Sequence, residues 1–196
     1  MKLRVVDLLN LEKEALLKCN SSSRSQIVAL KIPVTCRKSC NHCCTRQIKV
    51  TIVEALLLYA YLLENKSWPP VKSRISGMPP GVSQFDEETY NRLRIMCPVN
   101  DPGSGLCTGY KMRPAICATF FSMSDPRACD PHYPGQIERT NFINIPAYLT
   151  FHKQLAARGF DIQGLVPLPQ ALLAAESLAE KEFEDLDAFL RHLRPR

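Results

Sequence analysis

The stretch Cys36-Arg-Lys-Ser-Cys40-Asn-His-Cys43-Cys44 places four thiols within nine residues in a C-x3-C-x2-C-C array. Were the whole array helical, positions 36, 40, 43 and 44 would fall within an arc of about 100°, since each residue turns about 100°. The backbones of Cys36 and Cys44 would then stand about 12 Å apart along the axis, too far to share one small ion. The array therefore predicts a loop at Cys36 that runs into a helical turn carrying Cys40, Cys43 and Cys44. Side chains of neighbours diverge, so Cys43 and Cys44 seldom ligate one tetrahedral zinc, whose bonds to sulfur are only about 2.3 Å long. A cubane cluster, or two neighbouring sites, takes such a pair more easily. The short spacings are similar to the C-x2-C-x2-C run of ferredoxin ligation. The plain alternative is that one or two of these are buried structural thiols, since free cysteine packs as a small hydrophobe.

The rest of the chain decides how that array is housed. With 196 residues, 45% hydrophobic and 22% charged, the composition is that of an ordinary globular domain with room for an appended segment. The longest apolar run, Ala55 to Leu63, is nine residues, far short of the roughly 20 a spanning helix needs. Asp7, Glu12 and Glu14 interrupt the N-terminal stretch where a signal peptide needs an unbroken apolar core. The expectation is a cytoplasmic protein without a membrane span. In that reducing compartment nine cysteines argue for metal ligation over a disulfide framework, and an odd number cannot all pair within one chain. The net charge of +6 counts every thiol as neutral. Coordinating thiols are deprotonated, so each dication held by four of them subtracts about two charges.

Hydrophobic spacing predicts a mainly α fold: a small helical domain around an irregular cysteine-rich centre, with few or no strands. Val5 to Lys18 reads as an amphipathic helix that the polar run Asn20 to Ser25 breaks. Arg46 to Val50 alternates and reads as extended. Thr51 with Glu54 three residues on is a capping box, opening a helix over the apolar run. Four prolines, two glycines and four serines between Asn65 and Phe85 read as a surface connection that excludes long helix. Asp86 caps a short helix through about Ile95. Asn141 or Asn144 precedes a helix ending near Gly159, and Pro169 to Leu193 reads as a long amphipathic helix. Three parts follow: an N-terminal helical segment over 1–33, a cysteine-cluster domain over 34–135 with its proline-rich insertion near 65–85, and C-terminal helices over 136–196 packed on the same core.

A second thiol group comprises Cys97-Pro98, Cys107 and Cys117, with Cys129 further on. Pro114 suits the first position of a short helix, which sets Cys117 in its first turn, where the partial positive charge favours a thiolate. Arg113, just before it, could donate to cluster sulfur or bind a carboxylate; the plain alternative is a surface ion pair. Tyr110 could pack over the site or belong to the core. Cys129-Asp-Pro-His132 could extend the site as a Cys-x2-His pair. His42 could be a ligand or a donor behind one. Cys19 stands alone and reads as a buried thiol, and His152 and His192 fall on helices facing solvent.

The two blocks together resemble the YkgJ-type cysteine-cluster family, described as a zinc- or iron-chelating CxxCxxCC domain and distantly like flagellin lysine methylase. The matching pieces are Cys36-x3-Cys40-x2-Cys43-Cys44, Thr51-x2-Glu54, Cys97-Pro98, and Cys107-x2-Tyr110-x2-Arg113-Pro114-x2-Cys117-x2-Phe120, over roughly residues 34 to 121. The chain departs in Asn41, where the family usually has glycine, and in Ala118, where an arginine is common. The resemblance implies Cys36, Cys40, Cys43, Cys44, Cys97, Cys107 and Cys117 as ligands of zinc or iron, with an iron–sulfur cluster of the 4Fe-4S type as one form. It also suggests methyl transfer, for which the sequence has no glycine-rich nucleotide loop. The leading expectation is a cytoplasmic metal-binding protein whose two cysteine blocks hold an iron–sulfur cluster or zinc, in support of redox or methyl-transfer chemistry. The alternative is a zinc-stabilised module that binds an unidentified protein partner. Lys66, Lys72, Arg74, Arg92 and Arg94 are scattered and lack interleaved aromatics, which weighs against nucleic acid. No catalytic residue is assigned, for there is neither a nucleophile elbow nor an H-E-x-x-H motif.

Overall fold

In the computed structural model, which describes residues 5–134, 139–141, 153 and 165–179, the fold is mainly α. Helix α1 spans Val5–Ala29, α2 Ile52–Glu64, α3 Trp68–Ser76, α4 Glu87–Arg92, α5 Ala115–Thr119 and α6 Leu168–Ala179. Strands are short. β1 (Lys49–Val50) pairs antiparallel with β4 (Val166–Pro167), and β2 (Phe120–Ser122) with β3 (Arg139–Asn141). No described helix is long and apolar enough to cross a membrane. The helix expected over residues 141–159, the tail of the C-terminal helix, His152 and His192 lie outside the described residues.

The core is made by α2 against α6, with α3 closing one side. Leu58 and Leu62 meet Leu168, Leu172 and Leu178, and Ala171 and Ala175, both fully buried, let the two backbones approach. Burying each leucine contributes about 1.5–3 kcal/mol. The capping box forms as the sequence predicts: the Thr51 hydroxyl accepts from the Glu54 N–H, and the Glu54 carboxylate accepts from the Thr51 N–H.

Two expectations need correction. The polar run 20–25 does not break α1, because Ser21 and Ser23 donate their hydroxyls to the carbonyls of Lys18 and Cys19 within the helix. Leu8, Glu12, Ala15, Leu16, Cys19 and Ser23 form one buried stripe at helical spacing, and α1 packs on α2 and α5. Nor is 65–85 merely a surface connection. Pro69 and Pro70 fall in the first turn of α3, where a missing N–H costs nothing, and Trp68, Val71 and Ile75 join the core. The Trp68 indole N–H donates to Glu176 at 2.7 Å, and Lys72 pairs with the same carboxylate at 2.8 Å, tying α3 to α6.

Candidate metal centre

The first cysteine block leaves α1 in extended and turn conformation. Thr35 N–H donates to the Ser122 carbonyl at 2.9 Å, and the Ser122 N–H returns a bond to Cys36 Sγ at 3.2 Å. Of the thiols expected on a helical turn only Cys43 and Cys44 lie there, on the 3-10 turn His42–Thr45. Cys40 stays in the preceding turn, whose left-handed residue is Ser39 at φ +66°. Asn41 has φ −127°, a conformation that does not call for glycine. The second block is stitched directly to the first: Cys97 N–H donates to the Cys44 carbonyl at 2.7 Å. Asn100 and Cys107 then face each other in an antiparallel bridge.

Cys107 leads to Gly109, Tyr110 and Arg113. A β-carbon on Gly109 would collide with Leu58 and stand 3.0 Å from Val99, so the loop lies directly on α2. Pro114 caps α5, one residue before the position expected of it. The other oxygen of Glu54 accepts from the Ala115 N–H at 2.9 Å. One carboxylate therefore holds the starts of both α2 and α5, and α5 carries Cys117.

These segments enclose a cavity of about 610 Å³. Cys36, Cys40, Cys43 and Cys44 line it from the first block and Cys97, Cys107 and Cys117 from the second. Cys129 is the eighth. It lies on the 3-10 turn Pro126–Cys129, 2% exposed, with its carbonyl accepting from Arg46 Nε at 2.7 Å. Cys19 is apart, buried under α1. His132 turns its Nε2 to the Asn91 carbonyl at 2.8 Å and is not among the cavity residues, nor is His42. Ile48, Leu58, Val99 and Leu168 give the wall an apolar part, and Arg37, Lys38, Asn100, Tyr110 and Arg113 a polar one.

Tyr110 is not core: it is 48% exposed and lines the cavity. The Arg113 guanidinium sits 4.3 Å from its ring centre, and Arg24 5.9 Å, with Arg24 Nη2 donating to the phenol oxygen at 3.0 Å. Arg113 also lines the cavity, its Nε buried without a hydrogen-bond partner. It is thus a cation on the cavity wall with an aromatic ring beside it. Among the basic residues weighed for nucleic acid, Lys72 pairs with Glu176, Arg74 donates to the Pro98 carbonyl at 2.6 Å and Arg94 pairs with Asp130.

Burial controls the thiols. It pushes Cys97 up to about 12, Cys129 up to about 11, and Cys117 well above the usual range. The helix-end field expected to favour a Cys117 thiolate is outweighed by this desolvation. Cys43 alone moves down, to about 7, because Cys44 donates its S–H to it, and the Arg113 and Arg46 guanidiniums add to the effect. Cys44 moves up correspondingly. Without metal, the cavity therefore keeps most of its protons at neutral pH and holds its charge on Cys43.

The donors fit a thiophilic metal. Sulfur is the only ligand type among the Cys, His, Asp and Glu side chains that line the cavity, and all-thiolate surroundings select zinc, copper(I) or iron–sulfur units over hard cations. Among the described residues, no three such side chains converge on a single ion position. The thiols are spread over the wall of a chamber.

A family model matches residues 35–142, more than half of the chain: CxxCxxCC, a proposed zinc- or iron-chelating domain. The match includes all eight cavity cysteines and excludes Cys19. No curated protein and no solved structure matches the chain.

Proposed function

Since the chain belongs to the CxxCxxCC family of metal-chelating domains, we propose that it holds a polynuclear thiolate centre, an iron–sulfur cluster in the first instance, through both cysteine blocks. The observation that carries this reading is the lining of one cavity of about 610 Å³ by eight of nine cysteines. A lone zinc with bonds of about 2.3 Å would use four of them and leave the others without a role. The ligands proposed are Cys36, Cys40, Cys43, Cys44, Cys97, Cys107 and Cys117. All nine cysteines are free, as a reducing, cytoplasmic setting would keep them.

Such a centre supplies electron transfer, or an electrophilic iron position where a thiol is left off. The chain's own groups serve it in distinct ways. Arg113 and Arg46 offset the negative charge that thiolates bring into a desolvated space. The Ser122 N–H on Cys36 Sγ is a hydrogen bond of the kind that tunes a bound sulfur. Tyr110 and the two guanidiniums beside it stand where a reactant would enter. Redox chemistry and methyl transfer are the two reactions this arrangement would support.

The second reading is a zinc-stabilised module for a protein partner, and it draws on the way the thiols join segments as far apart as Cys36 and Cys129. One measurement separates the two: absorption and elemental analysis of protein purified without oxygen. Broad visible absorbance with iron and sulfide in near-equal amounts is expected. Colourless protein with stoichiometric zinc would replace the first reading by the second, and protein without thiol-bound metal would sink both.

A further inference from the structure

The eight cavity thiols are not equivalent in their surroundings. Cys43 and Cys44 stand side by side on their 3-10 turn, the Cys44 S–H donating to the Cys43 sulfur, and the other thiols gather on either side of this pair. On one side stand Cys36 and Cys129, both held by a single fully buried residue. The Ser122 N–H donates to Cys36 Sγ at 3.2 Å, and the Ser122 side chain hydrogen-bonds the thiol of Cys129. Arg46, two residues beyond Cys44, holds the Cys129 carbonyl at 2.7 Å, and the turn 42–45 packs on the turn 126–129. Cys129 is thereby fastened to the first block, as Cys97 is to Cys44.

On the other side, the Cys97 N–H meets the Cys44 carbonyl at 2.7 Å, and the Asn100–Cys107 bridge carries Cys107 to the same place. Apart from Cys43, which also acts on Cys97 and Cys107, the electrostatic neighbours divide along the same line. Cys129 is acted on by Cys43, Cys36 and Cys40; Cys44 by Cys97, Cys43 and Cys107; Cys117 by Cys97, Cys43 and Cys107. Cys43 borders both groups.

We propose that the eight thiols form two four-sulfur metal sites that part at the Cys43–Cys44 peptide bond: Cys36, Cys40, Cys43 and Cys129 in one, Cys44, Cys97, Cys107 and Cys117 in the other. This rests on the thiolate-centre reading above and adds two things to it, a ligand role for Cys129 and a count of two metal units per chain. Each site draws its four sulfurs onto a thiophilic dication, and the protons still on those thiols leave to solvent. The product at each site carries two negative charges, and the cations Arg46 and Arg113 stand beside them. The adjacent pair, awkward for one tetrahedral ion, is what two ions back to back require.

The test is zinc titration of the full-length, reduced, metal-free chain without oxygen, read by native mass spectrometry. Two zinc ions per wild-type chain are expected, with one lost in Cys129→Ser, one lost in Cys117→Ser and none lost in Cys19→Ser. Saturation at one ion in the wild type overturns the partition and leaves the thiolate centre standing. Two ions retained by Cys129→Ser overturn the role of Cys129, and loss of both ions in either cavity variant shows one shared centre. Binding of no zinc at all, by protein that also lacks iron as purified, overturns the thiolate centre itself. The wild-type count needs no variant to fold.

Discussion

The carboxylate of Glu54 accepts a hydrogen bond from the backbone N–H of Ala115 at 2.9 Å, sixty-one residues away, while its other oxygen closes the cap of its own helix. The start of α2 and the start of α5 are therefore fixed by one buried side chain. Cys117 sits on the first turn of α5 and Cys43 and Cys44 lie shortly before α2, so the spacing between the two cysteine blocks depends on Glu54.

Glu54→Ala removes both bonds. Losing the cap costs about 1 kcal/mol, and leaving the buried Ala115 N–H unpaired costs about 1–3 kcal/mol more. Urea denaturation of the metal-loaded protein should show the combined loss, together with reduced metal retention. Glu54→Gln keeps one acceptor oxygen and should lose roughly half as much; equal stability of wild type and Glu54→Ala would contradict the clamp.

Gly109→Ala should be more damaging than a single methyl suggests. The new β-carbon meets the side chains of Leu58 and Val99, so either these two buried side chains repack or the Cys107–Tyr110 loop moves, at about 1–3 kcal/mol. A shift of the loop displaces Cys107 from the cavity wall. Thermal unfolding and metal content should fall together, and an unchanged melting temperature would show that the loop is not pressed against α2.

Arg113→Ala takes a desolvated cation from beside four of the cavity thiols, Cys36, Cys43, Cys107 and Cys117. Metal affinity should drop at least tenfold, and addition of salt should mimic only part of the effect because Arg113 is partly buried, with its Nε out of reach of solvent. Arg113→Lys should recover part of the affinity but not the stacking on Tyr110. Competition with a chelator, at low and high salt, gives the comparison.

Stability should depend on pH differently in the two states. Without metal, Cys97 and Cys129 hold their protons more tightly in the folded chain than at the ordinary value of 9.0, up to about 12 and 11. Their contribution is complete below about pH 9 and is lost as pH rises through 11 to 12. Cys43, lowered to about 7, contributes above pH 9 and loses its share as pH falls through 7. With metal bound, unfolding returns protons to thiols, so stability should rise with pH up to about 9. Trp68, buried between α2 and α6, reports both curves by its fluorescence. A metal-loaded protein that weakens between pH 6 and 9 would contradict thiolate ligation.

Much of this centre was legible in the sequence. Spacing alone marked both cysteine blocks, and the Thr51–Glu54 box gave the start of α2, because such signals are local. What stayed hidden depends on distant partners. The continuation of α1 through its serines rests on hydroxyls bonded back to the helix and on a buried face that packs on α5. The turn from Pro69 and Pro70 into α3 rests on Trp68 and Val71 finding the core. Cys129 stands twelve residues past Cys117 in a turn of no special pattern; Ser122 and the distant Arg46, eighty-three residues before it, bring it to the other thiols. His132, whose Cys-x2-His spacing could extend the site beside Cys129, has its Nε2 on the Asn91 carbonyl instead.

The eight sulfurs that face one chamber carry no disulfide, and that has a bearing on how the chain matures. Thiols whose β-carbons come within about 3.8 Å are ready to be oxidised to each other, and one such bond withdraws two ligands together. Metal and oxidant compete for the same atoms, so the order of their arrival decides what a newly made chain becomes. Air before metal would crosslink whichever of these thiols can reach one another, while α2, α3 and α6, which meet through leucine, alanine and tryptophan, would stay assembled. A preparation handled that way would keep its helical spectrum and have lost its purpose.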